Sequence, residues 1–385
     1  MSNVSDYIYN HKDLIEIKAL AEQGNADAQF NLGFRYDSGQ GVPQDYKQAV
    51  YWHQKAAEQG LVQAQFELGS MYGAGQGVLQ DHVKAVYWYQ KAAEQGFDEA
   101  QTNLGVMFSN GQGVPQDYER AAYWLQKAAE QGLALAQHNL GFIYCIGQGV
   151  PQDYERATYW LQKAAEQGYI EAQTNLGIIY ANGQGVLQDY ERAVHWYKKA
   201  ADQEHAQAQN NLGNMYAKGQ GVLQDYVRAA YWLQKAAEQG YAEAQFNLGN
   251  KYGNGQGVAQ DYKQAVYWYQ KAAELGLGEA QLNLGYRYNF GQGVLQDYER
   301  AVYWYQKAAD QGLAVSQTNL SVMYANGHGV SQNYMKAHMW ANISASIDGN
   351  VNLRDGIAKL MTTAQIAEAQ EMARKYLSSN YKDSI

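Results

Sequence analysis

Residues Asn25–Gly60 read N-A-D-A-Q-F-N-L-G-F-R-Y-D-S-G-Q-G-V-P-Q-D-Y-K-Q-A-V-Y-W-H-Q-K-A-A-E-Q-G, and the stretch returns every 36 residues. Leu32 recurs as Leu68, Leu104, Leu140, Leu176, Leu212, Leu248, Leu284 and Leu320, which makes nine copies. Trp52 recurs in the same register through Trp340 and accounts for all nine tryptophans of the chain. A fixed period of roughly 20 to 50 residues is the mark of stacked supersecondary units rather than of a globule. The 385 residues are therefore read as one elongated repeat domain.

Each copy divides into two helices. Ala28, Leu32 and Tyr36 fall at i, i+4 and i+8, one stripe of a first helix, A. Gly33 sits inside that helix and recurs as Gly69, Gly105, Gly141, Gly177, Gly213, Gly249 and Gly285. Glycine in a helix interior costs about 1 kcal/mol relative to alanine. Its repetition implies a repeated gain, a helix–helix approach too close for a Cβ. Ser38-Gly39-Gln40-Gly41 ends helix A, and Asp45 is placed to cap the second helix, B, by accepting from its free first-turn N–H groups. Ala49, Trp52 and Ala56 form the expected inward stripe of B, and Gly60 closes it at a C′ position.

The departures carry information. Glu204 stands where the other turns have glycine, so it must either adopt a left-handed conformation or remodel the turn. Ser321 replaces the helix glycine in the ninth copy, whose K-A-A-E-Q-G ending is lost. Residues 1–24 contain half a copy and read as an N-terminal cap, 25–348 hold the nine repeats, and 349–385 read as a C-terminal cap. Leu353–Ser378 is expected there as an amphipathic helix, with a frayed tail from Ser379.

The string A-x-A-Q-x-x-L-G-x-x-Y-x-x-G-x-G-V-x-Q-D-Y-x-x-A-x-x-W-x-x-K-A-A-E-Q-G resembles the Sel1-like repeat, a longer relative of the tetratricopeptide repeat. The resemblance implies an all-α, right-handed α/α superhelical solenoid of helix-turn-helix units. It also implies an adaptor or scaffold for protein complexes, in bacteria often serving signalling, host interaction or toxin immunity. Some secreted relatives carry a cysteine pair in each unit. Cys145 is alone here, which argues against that branch.

Composition narrows the function classes. Net charge is −9 and the pI about 5.4, without the basic stripe that phosphate neutralisation demands, so nucleic acid is not expected as a partner. No run approaches the ~18 apolar residues of a membrane span. Met1–Asn10 lacks a basic n-region and an apolar h-region, so the expectation is a cytoplasmic protein. Gly73-Ala74-Gly75-Gln76-Gly77 lacks the preceding strand and the Lys-Ser/Thr of a phosphate loop. The histidines (His11, His53, His82, His138, His195, His205, His328, His338) show no metal-ligand spacing, and Cys145 has no basic partner near it in sequence. Asp117, Asp153 and Asp189 read as helix caps rather than acids or bases. The expectation is a non-enzymatic chain with no metal and no cofactor.

Comparison among the nine copies separates positions held for stacking from positions free to specialise. The series from Phe30 runs Phe66, Thr102, His138, Thr174, Asn210, Phe246, Leu282, Thr318; that from Phe34 runs Ser70, Val106, Phe142, Ile178, Asn214, Asn250, Tyr286, Val322. A third, from Ser38, includes Asn110, Ile146, Asn182, Lys218, Asn254 and Phe290. These series share one face of helix A, and by resemblance to tetratricopeptide arrays that face lines the concave groove. Phe30, Phe34, Phe66, His138, Phe142, Ile146, Asn210, Asn214, Phe246, Asn250, Tyr286 and Phe290 are the candidate partner-binding residues. Aromatics anchor interfaces and amides pair with peptide backbone, which suits a protein or peptide ligand. The alternative for any single ring is packing against the next unit. An immunity protein that occludes a toxin or effector is the second functional expectation. The regular Tyr51-Trp52, Tyr87-Trp88 and Tyr123-Trp124 stripe is read as stacking, not as a ligand ladder.

Overall fold

A computed structural model describes residues 14–380, so His11, the first residues of the N-terminal half-copy and the last five of the tail lie outside the described residues. All regular structure among the described residues is helical. The chain divides into two compact units, residues 1–189 and 190–385. The first holds α1 (Leu14–Glu22), α2 (Ala26–Ser38), α3 (Tyr46–Glu58), α4 (Val62–Ala74), α5 (His82–Glu94), α6 (Asp98–Asn110), α7 (Tyr118–Glu130), α8 (Ala134–Ile146), α9 (Tyr154–Glu166) and α10 (Ile170–Asn182). The second holds α11 (Tyr190–Asp202), α12 (Ala206–Lys218), α13 (Tyr226–Glu238), α14 (Ala242–Asn254), α15 (Tyr262–Glu274), α16 (Gly278–Phe290), α17 (Tyr298–Asp310), α18 (Ala314–Asn326), α19 (Tyr334–Asp348), α20 (Asn352–Ala358) and α21 (Thr363–Asn380). Each unit is an all-α solenoid in which successive helices pack against one another, except that α21 packs back on α19 and not on α20.

The two helices of a repeat meet at the helix glycine. A Cβ on Gly69 would lie 2.8 Å from the Tyr89 ring, and one on Gly105 2.7 Å from Cγ of Leu125 and 3.2 Å from the carbonyl of Ala121. Helix B therefore lies in the space the missing side chain leaves. The ninth repeat shows the compensation required when that space is taken: Ser321 faces Ala341, the smallest residue in its series, and donates its hydroxyl to the Ala337 carbonyl at 2.7 Å. The contact residue of helix B is the one after the tryptophan. Tyr269, Tyr305, Leu125 and Leu161 are fully buried, whereas Trp52, Trp88 and Trp124 are half-buried, so the inward stripe is centred one residue later than Ala49–Trp52–Ala56.

The caps form as their chemistry dictates. Asp45, Asp117 and Asp153 take extended φ and accept from first-turn N–H groups of the following helix. Adjacent repeats are then joined by buried glutamines. Gln65 Nε2 donates to the Ala57 carbonyl at 3.2 Å, satisfying the exposed end of the preceding helix B, and its Oε1 accepts from Gln95 Nε2 at 2.8 Å. The pattern repeats at Gln101–Gln131, Gln137–Gln167, Gln209–Gln239 and Gln281–Gln311. It fails twice. Leu275 stands in the donor's place for Gln245 and Ile347 for Gln317, and the buried Oε1 of both glutamines has no partner.

At the two ends of the described chain, α1 places Ile17 and Ala21 against Ala28 and Leu32, and α21 buries Ala369 and packs Ala373 with Trp340 and Ile343. The helix expected over Leu353–Ser378 is two helices, α20 and α21. Thr362 interrupts it: its hydroxyl accepts from Gln365 N–H while the Gln365 side chain accepts from Thr362 N–H, a reciprocal capping box that starts α21. Helix α21 runs on through Asn380.

Glu204 has φ 66°, the one non-glycine residue with positive φ among the described residues. Its N–H still reaches the Ala201 carbonyl at 3.0 Å, so the turn keeps the glycine geometry and the side chain bears the strain. Glu204→Gly is expected to stabilise the fold by about 1 kcal/mol, read as a raised denaturation midpoint; an unchanged or lower midpoint would remove the strain assignment. Leu275→Gln is expected to add a similar amount, about 1 kcal/mol, by supplying the donor that Gln245 lacks, and the same change at an exposed leucine such as Leu79 is the control.

Candidate interaction face on the first helix of each repeat

The sequence-derived candidates occupy three levels of helix A, and the structure separates them by depth. At the first level Phe30, Phe66 and Phe246 are half-buried, their rings 5.3 Å from His53, 5.7 Å from Tyr89 and 5.9 Å from Tyr269 respectively. Phe66 also meets Phe97 at 5.1 Å. These rings serve packing between helices A and B. Asn210 is buried and accepts from Asn247 Nδ2 of the next repeat at 3.0 Å.

His138 occupies the same level. Nδ1 lies 3.2 Å from Asn139 Oδ1 and Nε2 lies 3.1 Å from Asn175 Nδ2, an arrangement that suits the neutral tautomer protonated on Nδ1. Burial holds its pKa below the ordinary histidine value, in agreement with that tautomer, while Asn139 acts in the opposite direction.

The second and third levels are the exposed ones. Phe142 is 49% exposed and Ile146 39%, one helical turn apart on α8. On α16 Tyr286 is 42% and Phe290 55% exposed, and their rings touch at 4.5 Å between centroids. Phe34, Asn214 and Asn250 are half-buried. Asn250 accepts the Tyr269 hydroxyl at 2.7 Å.

That hydroxyl belongs to a feature the helical pattern of A did not announce. Tyr89, Tyr197, Tyr269 and Tyr305 rise from helix B beneath the glycine and extend their hydroxyls to side chains of helix A: Ser70 and Asn103 for Tyr89, Asn211 for Tyr197, Arg287, Asn250 and Asn283 for Tyr269, and Asn289 for Tyr305. Burial raises the pKa of all four, so they remain neutral hydroxyl groups. The readable signal was the alternation of tyrosine and leucine one residue after the tryptophan. Glu67 is a second departure, standing where eight sister positions carry asparagine. Burial and then the charge of Asp37 hold its carboxyl above the usual range.

Other groups are placed away from any chemistry of their own. Burial pushes the Cys145 thiol up to about 11, the reverse of an activated nucleophile. Among the described residues no three His, Cys, Asp or Glu side chains are grouped to hold a metal ion, and no helix is long and apolar enough to cross a membrane. Tyr51, Tyr87, Tyr123 and Tyr159 each stand edge-on to the following tryptophan at 4.9 to 5.0 Å, with a lysine four residues on over the tyrosine ring.

Helix pairs of constant length, joined by an amide ladder and differing mainly on one face, define a helical-repeat protein of the kind that typically mediates protein–protein interaction. The chain belongs to the Sel1 repeat family, whose model matches nine consecutive segments, 26–61, 62–97, 98–133, 134–169, 170–205, 206–241, 242–277, 278–313 and 314–347. Among solved structures, c5321, described as a protective antigen present in uropathogenic Escherichia coli strains displaying an SLR fold, is 33% identical. It covers 97% of this chain and 96% of its own, with a TM-score of 0.57. A Sel1 repeat protein from Oxalobacter formigenes is 36% identical over 83% of this chain and 92% of that one, with a TM-score of 0.66. No curated protein matches by sequence.

His53 gives the face a measurable acid response. It fills the tyrosine/leucine slot under Gly33, its Nδ1 is buried without a partner, and burial lowers its pKa to about 4. Because the folded value lies below the unfolded 6.5, its stabilising contribution is complete above pH 6.5 and is lost as pH falls towards 4. The loss is on the order of 3 kcal/mol. His53→Leu, the residue found at Leu125 and Leu161, is expected to flatten stability over that interval in denaturation at stepped pH; an unchanged slope would exclude His53 as its source.

Proposed function

We propose that this chain is a non-enzymatic interaction scaffold that holds a segment of a partner protein on the outer levels of its helix A face. The observation that carries the reading is the pairing of exposed apolar side chains at positions the stacking does not use: Phe142 with Ile146, and Tyr286 with Phe290. The sister positions hold residues as different as Ser38, Ala74, Asn214 and Asn254, so nothing in the repeat itself calls for aromatic rings there. Aromatic side chains with two stiff dihedrals provide contact area at low entropic cost, and they are enriched among the residues that dominate binding energy.

Amides supply the other half of a peptide site. Asn214 and Asn250 are half-buried at the helix A level of Tyr286 in the second unit, and an extended segment carries a free N–H and C=O at every residue. Asn210 and Phe30, Phe66 and Phe246 sit deeper and act by holding the floor in position.

Phe142→Asp combined with Phe290→Asp is expected to leave helicity and melting unchanged, since both side chains are half exposed. Affinity for the partner should fall by roughly 30-fold to 1,000-fold, as loss of buried anchors costs about 2 to 4 kcal/mol. Capture from a native lysate with mass spectrometry, followed by titration of the recovered partner, checks this; a partner held equally by both proteins would move the site off the helix A face.

A further inference from the structure

The last residue of helix A, the third level of the face, is exposed in all nine repeats. Along the array it runs Ser38, Ala74, Asn110, Ile146, Asn182, Lys218, Asn254, Phe290 and Asn326. Asparagine holds it in the third, fifth, seventh and ninth repeats, so each of the two exposed apolar pairs stands between two asparagines. Asn110 and Asn182 flank Phe142–Ile146 in the first unit, and Asn254 and Asn326 flank Tyr286–Phe290 in the second.

The fold makes no use of these four amides. Each is followed by a left-handed glycine whose own N–H closes the helix on the carbonyl of Met107, Ile179, Lys251 or Met323. None of the four side chains has a hydrogen-bond partner among the described residues, and Ser38, Ala74 and Lys218 show that the position accepts other residue types. The deeper asparagines of helix A are engaged by contrast. Asn175 Nδ2 lies 3.1 Å from His138 Nε2, Asn247 Nδ2 donates to Asn210 at 3.0 Å, and Asn250 accepts the Tyr269 hydroxyl.

A side-chain amide offers a donor and an acceptor in one plane, the complement of one peptide group. Exposed amides on either side of an apolar pair match a chain with unpaired N–H and C=O groups and an apolar side chain between them. An extended polypeptide has these; a helix, whose backbone is already bonded, does not. Helices A of neighbouring repeats touch through the deeper asparagines. With about 10 Å between such neighbours, two flanking amides stand roughly 20 Å apart, the length of about six extended residues. Ile146, in the place of Phe290, has no ring face to offer a sugar, and the net charge of −9 disfavours a phosphate backbone.

We propose that these are two like subsites, one in each unit, and that each holds an extended polypeptide segment by its backbone between two asparagine amides, with an apolar side chain of the segment seated on the pair between them. One chain therefore takes two such segments. The inference rests on the scaffold reading above and adds to it the conformation of the ligand and the number of sites.

The test selects a phage-displayed library of random twelve-residue peptides on the full chain. The strongest peptide is then synthesised and titrated by calorimetry, with cellohexaose as a second probe. The expected peptide carries a central apolar residue and binds twice per chain. Asn110→Ala with Asn182→Ala introduces the residue type that the second repeat already carries as Ala74, so the variant is expected to fold. It should keep one site at the original affinity and weaken the other by roughly tenfold or more. Asn254→Ala with Asn326→Ala should leave one site in the same way, and the four substitutions together should weaken both. One peptide per chain, or unchanged binding with all four asparagines replaced, would overturn the subsites. Selection of no peptide, or binding of cellohexaose that the four substitutions abolish, would overturn the polypeptide assignment. Phe142→Asp with Phe290→Asp leaves the amides in place. Peptide binding that survives the four alanines and is lost on those two changes would therefore refute the amide subsites and leave the aromatic face standing.

Discussion

The fold depends on one steric constraint, the approach of helix B to a glycine in the middle of helix A. Where a Cβ would stand, a tyrosine ring, a leucine or, in the first repeat, the His53 ring lies within 3 Å of its position. Close packing at that point fixes the separation of the two helices, and the alanines on either side follow from it: Ala49, Ala56, Ala85 and Ala121 are all fully buried. The glycine costs helix propensity in each repeat and gains a contact in each. The ninth repeat gives the converse, with Ser321 accommodated because its opposite number is Ala341.

Given that separation, the glutamine ladder becomes possible, and it joins the apolar contact between repeats in setting one against the next. A buried glutamine with both ends satisfied costs little, whereas one left with an orphan oxygen is a defect. The defects at Gln245 and Gln317 coincide with Leu275 and Ile347, so the ladder is a pairwise device whose failure is legible in its partner. Every contact that makes the stack is thereby assigned to a small set of positions. The outer levels of helix A are not fixed by it, which is why one and the same level can carry Phe142, Asn214 or Tyr286, with Asn250 accepting from Tyr269 in one repeat only because a tyrosine lies beneath it.

Much of this was legible in the sequence, because a repeated chain contains its own comparison. Eight copies of the glycine pointed to the close approach, the Asp45 series to the caps, and the lone Glu204 to a left-handed residue. Three things were not legible. Helical periodicity admits either of two adjacent residues to an inward stripe, so Trp52 and His53 could not be ranked until their burial was known. The break between α20 and α21 rests on a capping box at Thr362 that an amphipathic pattern running through it conceals. Depth within the candidate face also escaped the sequence. The Phe30 and Phe34 levels differ by one helical turn, yet Phe66 packs inward while Phe142 faces solvent.

Costly departures from the repeat are found along the array: His53 and the orphaned Gln317, as well as Glu204 in a left-handed turn, the orphaned Gln245, and the half-buried Lys251 and Arg287, whose slot also holds a cation, Arg35, in the first repeat. A repeat architecture offers a ready remedy for each, namely the leucine, glycine, glutamine or methionine that the sister units already carry. In an array whose stability is close to a sum over repeats and their interfaces, each departure lowers that sum locally. Local rules broken without a structural gain mark places where a protein answers to something other than its fold. Glu204 and Leu275 have no such counterpart in the structure. Lys251 and Arg287 are met by Gln256 and Gln292 and by the rings of Tyr226, Tyr262 and Tyr269, so neutral side chains of the stack itself receive the charges that interrupt the apolar stripe.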